Sequence, residues 1–203
     1  MSRITLVLGG ARSGKSAYAQ ELARGLPGGV LYLAPAIAFD DDMRRRIEAH
    51  RLSRPATWRT LESPRRLAEP LAEGLRGEGV VLIDCLTLWV SNVLMDHPAF
   101  PFEGGEDIAP LQDSLSKESE EVVALARKRG LTLIAVSNEA GMGVVPPYAS
   151  GNVFRDVLGR VNQLWAARAD EVYLMVAGIA VRVKGQGSRA KGQGSRVRGQ
   201  GSR

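Results

Sequence analysis

The chain has few of the residues that build disulfides or zinc sites, and it lacks a long apolar run. Among its 203 residues there are one cysteine and two histidines, so an intrachain disulfide is impossible and no Cys/His cluster has zinc spacing. No apolar run approaches the ~18 residues of a membrane helix. A glycine-rich loop begins within the first ten residues, which leaves no room for a signal peptide. We therefore expect a cytoplasmic protein, and the length suits a single α/β domain.

Positive charge is concentrated at one end of the chain. The net charge is +5, and residues 183–203 are three heptapeptides, VKGQGSR, AKGQGSR and VRGQGSR, with six Lys or Arg and no acid. The other 182 residues therefore sum to −1, which argues against a nucleic-acid-binding face on the domain. Because the repeats have too few apolar residues to fold, we predict one domain over 1–183 and a disordered basic tail over 184–203. Weak attachment of this tail to RNA, a membrane or a partner stays open.

Residues 9–16, GGARSGKS, fit the phosphate-loop pattern G-x-x-x-x-G-K-[ST]. An apolar run over 4–8 predicts a buried strand before this loop, and a four-residue apolar spacing over 18–26 predicts a helix after it. That order places backbone N–H groups around a phosphate at a helix N-terminus. We predict that Lys15 reaches the β- and γ-phosphates and that the Ser16 hydroxyl holds Mg²⁺. The predicted phosphate contacts are Gly9, Gly10, Ala11, Arg12, Ser13, Gly14, Lys15 and Ser16.

Strands and helices alternate along the rest of the chain. Apolar, β-rich runs predict strands at 30–34, 57–61, 80–83 and 131–136, and a closing hairpin of 171–176 with 179–183. Helical periodicity and end signals predict helices at 40–50, 86–95, 111–129 and 153–168. Ser63-Pro64 predicts the start of one more helix, which Pro70 should kink or split. This alternation predicts an α/β fold with a mainly parallel sheet and helices on both faces.

Polar side chains follow two of the predicted strands. Asp84 ends the run 80–83 and has the form of a Walker B acid, which holds Mg²⁺ directly or through water; a buried strand-end carboxylate with a structural partner is the alternative. Asn138 and Glu139 follow the run 131–136. Ligands collect at such strand ends in parallel sheets, but these two residues can equally cap the glycine-rich turn that comes next.

The two histidines differ in their surroundings. His97 lies in a Pro/Gly/acid-rich loop without an orienting partner in sequence, and we expect it to be solvated. His50 lies on a charged helix, one turn after Arg46 and before Arg51 and Arg54. Neutral imidazole is a good nucleophile towards phosphorus when nearby cations offset the phosphate charge. The residues alone leave open whether His50 is such a nucleophile or a helix-face histidine that packs or hydrogen bonds.

Taken together, the motifs closely resemble the bifunctional adenosylcobinamide kinase / adenosylcobinamide-phosphate guanylyltransferase family of cobalamin biosynthesis. The similarity covers nearly all of residues 2–184. The matching segments after the phosphate loop are D-D-x-M-x-x-R-I-x-x-H-x-x-x-R-P-x-x-W-x-T-x-E over 41–62, DCLTLWVSN from 84, SNEAGMGVVP from 137, FRDVLGRVNQ from 154 and ADEVYLMVAGIAVRVK to 184. Several matches in the right order are more specific than the phosphate loop alone.

The resemblance implies a two-step assembly of the cobalamin nucleotide loop, with ATP and GTP as substrates and Mg²⁺ as cofactor. First, the hydroxyl of the aminopropanol arm of adenosylcobinamide takes the γ-phosphoryl of ATP or GTP. Second, GTP guanylylates a histidine with loss of pyrophosphate, and adenosylcobinamide phosphate takes the GMP to give adenosylcobinamide-GDP. The resemblance also implies a RecA-like P-loop fold assembled as a homotrimer.

Residue roles follow from the same resemblance. It implies that His50 is the guanylylated nucleophile and that Glu62 contacts the guanine edge, where a carboxylate can accept from two donors together. The other implied nucleotide contacts are Ala34, Pro35, Ala36, Arg51, Leu52, Ser53, Arg54 and Asp84. The tail beyond Lys184 is extra to the family pattern. The stretches 96–110 and 147–152 match no fixed motif, so the residues that contact the corrinoid stay unassigned.

Two rival functions remain at this point. One is a small-molecule P-loop kinase without guanylyl transfer, in which His50 merely packs. The other is a nucleotide-dependent binding module whose basic tail engages RNA or an acidic partner.

Overall fold

The structure is a computed structural model that describes residues 2–38, 40–52 and 54–185. Except for Lys184 and Gly185, the predicted basic tail lies outside the described residues. The strands are β1 (Arg3–Gly9), β2 (Val30–Ala34), β3 (Arg59–Glu62), β4 (Val80–Asp84), β5 (Thr132–Val136), β6 (Glu171–Val176) and β7 (Ile179–Lys184). The helices are α1 (Lys15–Arg24), α2 (Asp41–Leu52), α3 (Ala68–Gly74), α4 (Leu86–Met95), α5 (Ala109–Arg129) and α6 (Ala149–Arg168).

The seven strands form one sheet in the order β3-β2-β4-β5-β1-β6-β7. Every neighbouring pair is parallel except β6 with β7, which are antiparallel. The predicted closing hairpin is therefore confirmed, and its turn uses two positive-φ residues, Ala177 and Gly178. The strand that leads into the phosphate loop and the strand that ends in Asp84 are separated by β5.

Each central strand sends alternate side chains into two different cores. In β4, for example, Val81 and Ile83 join the larger core while Val80 and Leu82 join the smaller one. The larger core packs the sheet against α3, α4, α5 and α6, and the smaller core packs it against α1. Burial on both faces explains the near-continuous apolar strands. The predicted fold class is confirmed: it is an α/β P-loop fold with a mainly parallel sheet and helices on both faces.

The prediction of a helix starting at Ser63-Pro64 is wrong. Helix α3 begins at Ala68, and its first N–H groups are satisfied from another element: Glu118 of α5 accepts from the amides of Leu67 and Ala68 at 2.6 and 2.8 Å. Pro70 is then the third helical residue, where no N–H is needed, so it does not break the helix.

Helix α2 lies outside both cores. None of its residues with a described side chain is buried, and none belongs to either apolar cluster. Beyond its C-terminal end, Trp58 packs against the smaller core. None of the helices within the described ranges is long and apolar enough to cross a bilayer.

Candidate active site

The phosphate loop connects β1 to α1 and is held by its neighbours. Gly9 passes so close to β6 that a Cβ there would lie 2.7 Å from the carbonyl oxygen of Met175. Gly14, with φ +92°, is the N-cap of α1. The amide of Gly178, in the β6–β7 turn, donates to the carbonyl of Ser13 at 3.0 Å. Contacts with neighbouring elements therefore fix the backbone of the loop.

Two polar side chains of the phosphate loop, Lys15 and Ser13, are buried. Lys15 is only 8% exposed, and its Nζ donates to the carbonyl oxygen of Gly10 at 2.5 Å. Desolvation by burial lowers the pKa of this lysine, although Cys85 and Asp84 act in the opposite direction. The hydroxyl of Ser13 is buried without a hydrogen-bond partner within the described residues. A bound phosphate oxygen would give both groups an acceptor.

Asp84 reaches the phosphate loop, as predicted. Its Oδ1 accepts from the Ser16 hydroxyl at 3.1 Å, and its Oδ2 accepts from the Tyr32 hydroxyl at 2.9 Å. A hydroxyl and a carboxylate oxygen at one point are the ligands that Mg²⁺ prefers, and this ion normally takes only one or two ligands from protein and the rest from phosphates and water. The described part of the chain has no group of three or more His, Cys, Asp or Glu placed to hold a metal.

His50 faces the same place from α2. A cleft of about 480 Å³ is lined by the loop residues Arg12, Ser13, Gly14, Lys15, Ser16 and Ala17 together with His50. The imidazole is exposed rather than enclosed in apolar packing. Enclosure of the ring in apolar packing is therefore not observed, while the alternative of a helix-face histidine that hydrogen bonds stays open.

The predicted nucleotide contacts after His50 differ in exposure: Arg51 and Leu52 are exposed, whereas Arg54 packs on the sheet. Leu52 is 78% exposed and borders a different groove of about 460 Å³ on α2, so its predicted nucleotide contact stays a prediction. Arg51 is exposed on the last turn of α2, and Ser53 lies outside the described residues. Arg54, in contrast, turns back to the sheet, where its guanidinium carbon lies 3.5 Å from the ring centroid of Tyr32.

Four further predicted contacts meet at the ends of β2 and β3. Ala34 is paired with Glu62 in the sheet, and its carbonyl accepts from Ser63 N at 3.0 Å. The next residue, Pro35, is buried and its carbonyl accepts from Asn92 Nδ2 at 2.7 Å. Ala36, which follows, is half-buried, and Glu62 is exposed. Because β3 is four strands from β1, Glu62 lies roughly 19 Å from the phosphate loop along the sheet, and its predicted contact with guanine stays a prediction.

Asn138 and Glu139 support the phosphate loop from the end of β5. The amide of Asn138 donates to Thr87 Oγ1 at 2.7 Å, and the amide of Glu139 donates to the carbonyl of Gly9 at 3.0 Å. The Glu139 carboxylate accepts from Gly141 N at 3.0 Å. The capping alternative is thus the one that these contacts favour.

The sequence patterns do not indicate the role of Tyr32 in the site, and they misjudge the surroundings of His97. Tyr32 was read only as part of an apolar strand, although a buried tyrosine needs a partner for its hydroxyl, and that requirement was the available signal. His97 was expected to be solvated. This is wrong, because the half-buried ring stacks on Phe102 with centroids 5.5 Å apart and its Nδ1 accepts from Ala99 N at 3.2 Å.

Comparison with known proteins identifies relatives over most of the chain. The family model described as cobinamide kinase / cobinamide phosphate guanyltransferase matches residues 5–183. The bifunctional adenosylcobalamin biosynthesis protein CobU of Escherichia coli (strain K12) is 40% identical, covering 88% of this chain and 98% of that protein. The corresponding protein CobP of Pseudomonas aeruginosa is 40% identical, covering 89% and 97%. Among solved structures, the RadB recombinase matches with a TM-score of 0.49 and 16% identity, covering 85% of this chain and 73% of that one.

Proposed function

This chain belongs to the cobinamide kinase / cobinamide phosphate guanyltransferase family, and we propose that it carries out both reactions at the cleft between the phosphate loop and α2. The observation that carries the proposal is that His50 lines the same cleft as Lys15 and Ser16. A nucleophile and a phosphate cradle on one cleft are what a covalent guanylyl transfer needs.

In the kinase reaction, the phosphate loop holds ATP or GTP by its triphosphate. The hydroxyl of the aminopropanol arm of adenosylcobinamide attacks the γ-phosphorus, and the bond from that phosphorus to the bridging oxygen breaks as the nucleoside diphosphate leaves. Lys15 neutralises charge that moves to the leaving oxygens, while the backbone N–H groups of the loop fix the phosphates in line.

In the second reaction, His50 attacks the α-phosphorus of GTP. A nitrogen–phosphorus bond forms, the bond to the β-phosphate oxygen breaks, and pyrophosphate leaves. A phosphate oxygen of adenosylcobinamide phosphate then attacks the same phosphorus, so that His50 is released and adenosylcobinamide-GDP forms. The histidine divides one displacement into two and stores an activated GMP while the bulky corrinoid enters.

Several finer points belong to the proposal. Ser16 and Asp84 would hold Mg²⁺, which would neutralise charge on the phosphates when bound. The remaining predicted contacts, including Glu62 on guanine, complete the nucleotide site. The family resemblance supports a homotrimer, and the use of ATP and GTP supports a place in the cytoplasm. The catalytic unit would be residues 1–183, with the basic tail as an appendage.

The test is incubation of the full chain with α-labelled GTP and Mg²⁺, followed by denaturation. We expect label that stays on the protein, survives base and is lost in mild acid, as a phosphoramidate should. His50→Ala should carry no label but keep part of the phosphorylation of adenosylcobinamide, because the phosphate loop is intact. Lys15→Ala should lose both reactions, each by about 100-fold or more.

The outcomes separate the rival functions. Label retained by His50→Ala would disprove the role of His50. Wild-type protein that phosphorylates adenosylcobinamide but never carries label would favour the small-molecule kinase alternative. Equal loss of both reactions in His50→Ala would mean that the histidine only supports the structure.

A further inference from the structure

Tyr32 is the one tyrosine of β2, and each part of its side chain contacts a different part of the candidate site. The residue is 2% exposed in the smaller core. Its hydroxyl donates to Asp84 Oδ2 at 2.9 Å, and its ring lies under the guanidinium of Arg54 at 3.5 Å. We propose that Tyr32 is a positioning residue that orients Asp84 toward Ser16 with its hydroxyl and seats Arg54 at the nucleotide cleft with its ring. The inference rests on the proposed function only in naming GTP as the ligand.

The hydroxyl of Tyr32 limits the rotation of the Asp84 carboxylate. A strand-end carboxylate can turn about its last bond, and only one orientation gives Oδ1 to Ser16 while Oδ2 is satisfied elsewhere. Tyr32 supplies that second contact from the neighbouring strand, since β2 and β4 are paired.

The ring of Tyr32 holds the guanidinium of Arg54 in place. Arg54 follows α2, and its amide donates to the carbonyl of Arg51 at 3.3 Å. One guanidinium nitrogen donates to Thr60 Oγ1 at 3.3 Å, whereas Nε is buried with no hydrogen-bond partner in the described part of the chain. A buried charged donor without an acceptor is costly. A guanidinium held flat on an aromatic ring presents its edge to a phosphate oxygen, and that oxygen would fill the gap.

A second tyrosine gives a matched control. Tyr173 in β6 is also buried, at 6% exposed, and its hydroxyl also has a side-chain partner, Arg182 at 2.9 Å. The Arg182 guanidinium also lies over this ring, 5.3 Å from the centroid. Tyr173→Phe therefore removes a buried hydroxyl beneath an arginine without touching Asp84 or α2.

The experiment measures the dissociation constant of an α,β-methylene analogue of GTP, which cannot lose pyrophosphate, for the full chain by calorimetry, once with Mg²⁺ and once with EDTA. Tyr32→Phe keeps the ring and removes the hydroxyl. We expect its affinity to fall about tenfold with Mg²⁺ and to stay at the wild-type value in EDTA. Arg54→Met removes the charge and keeps the length, and we expect about a tenfold loss in both buffers, because a lost phosphate contact does not depend on the metal. Tyr173→Phe should match wild type in both.

The outcomes decide each half separately. A Mg²⁺-specific loss of about threefold or more in Tyr32→Phe supports the orientation of Asp84, and a smaller or buffer-independent loss overturns it. A loss below about threefold in Arg54→Met overturns the seating of Arg54, and so does a Tyr32→Leu protein that folds by thermal melting and binds the GTP analogue in EDTA like wild type. The assay needs neither corrinoid nor His50, so failure of the labelling experiment above would leave this result standing.

Discussion

The two sides of the nucleotide cleft are built in different ways. On one side, the phosphate loop continues β1 in the middle of the sheet, and contacts from β6 and from the β6–β7 turn fix its backbone. On the other side, α2 has no buried residue among its described side chains. Its ion pairs, such as Arg45 with Asp42 at 2.6 Å, lie within the helix on exposed side chains and contribute little to stability.

The two proposed reactions share the need to bind a triphosphate and differ in the need for a histidine, and the two sides of the cleft divide in the same way. Both need the triphosphate held in one geometry, and the rigid side provides it. Only guanylyl transfer needs an imidazole at the α-phosphorus, and His50, the nucleophile we propose, is on α2. The Tyr32–Arg54 contact, just beyond α2, would then link the phosphate-loop side of the cleft to the segment that follows this helix.

The largest effect should come from crowding the rigid side. In Gly9→Ala the new Cβ would lie 2.7 Å from the Met175 carbonyl, which belongs to the backbone of β6 and cannot move cheaply. We expect the free energy of unfolding in urea to fall by about 2–3 kcal/mol. Gly10→Ala is the matched control, because nothing lies within 4 Å of its Cβ, and it should change stability by less than about 0.5 kcal/mol. Equal stabilities for the two variants would show that the loop is not tightly held.

Elements on both sides of the cleft are predicted well from the sequence, including α2, which is predicted at 40–50 and spans Asp41–Leu52. The bounds of β2 and α4 match their predicted ranges because apolar pattern and end signals are local properties. The phosphate loop is recognisable for the same reason, since its spacing reflects contacts with a phosphate rather than with distant residues.

What sequence reasoning missed depends on contacts between residues far apart in the chain. The start of α3 is set by Glu118, 50 residues from Ala68, so Ser63-Pro64 gave a misleading local signal. The role of Tyr32 depends on Asp84, 52 residues away, and no local pattern contains that pairing. Helical periodicity likewise does not report that His50 of α2 lines the same cleft as the phosphate loop.

A smaller effect should separate the two helices that flank the cleft. Ala19 of α1 is fully buried, so Ala19→Gly loses helix propensity and apolar contact, and we expect about 1–2 kcal/mol less stability toward urea. Ala49→Gly in the exposed α2 should lower it by less than about 0.5 kcal/mol, because this helix can open locally without the core. Hydrogen exchange should agree, with faster exchange for α2 amides than for α1 amides. A full 1 kcal/mol loss in Ala49→Gly would contradict the contrast.

The smallest effect concerns the stability that is lost because the charge of Lys15 is buried in the phosphate loop. Burial lowers the pKa of Lys15 in the nucleotide-free fold, so the folded value lies below the unfolded one and the charged form destabilises the protein. That cost is complete below the folded pKa and disappears above the unfolded value of about 10.4. Lys15→Met should therefore raise the melting temperature of the nucleotide-free protein near neutral pH, by less than Ala19→Gly lowers it, and the gain should shrink as the pH rises toward that value.

Lys128→Met, on the exposed last turn of α5, is the control for removing a lysine charge. It should change the melting temperature less than Lys15→Met does near neutral pH. A less stable Lys15→Met protein would mean that the bond from Lys15 Nζ to the Gly10 carbonyl outweighs desolvation. Lys15 would then stabilise the phosphate loop even without a bound nucleotide. The expected gain means instead that the fold holds a cation in a place that only a bound phosphate makes favourable.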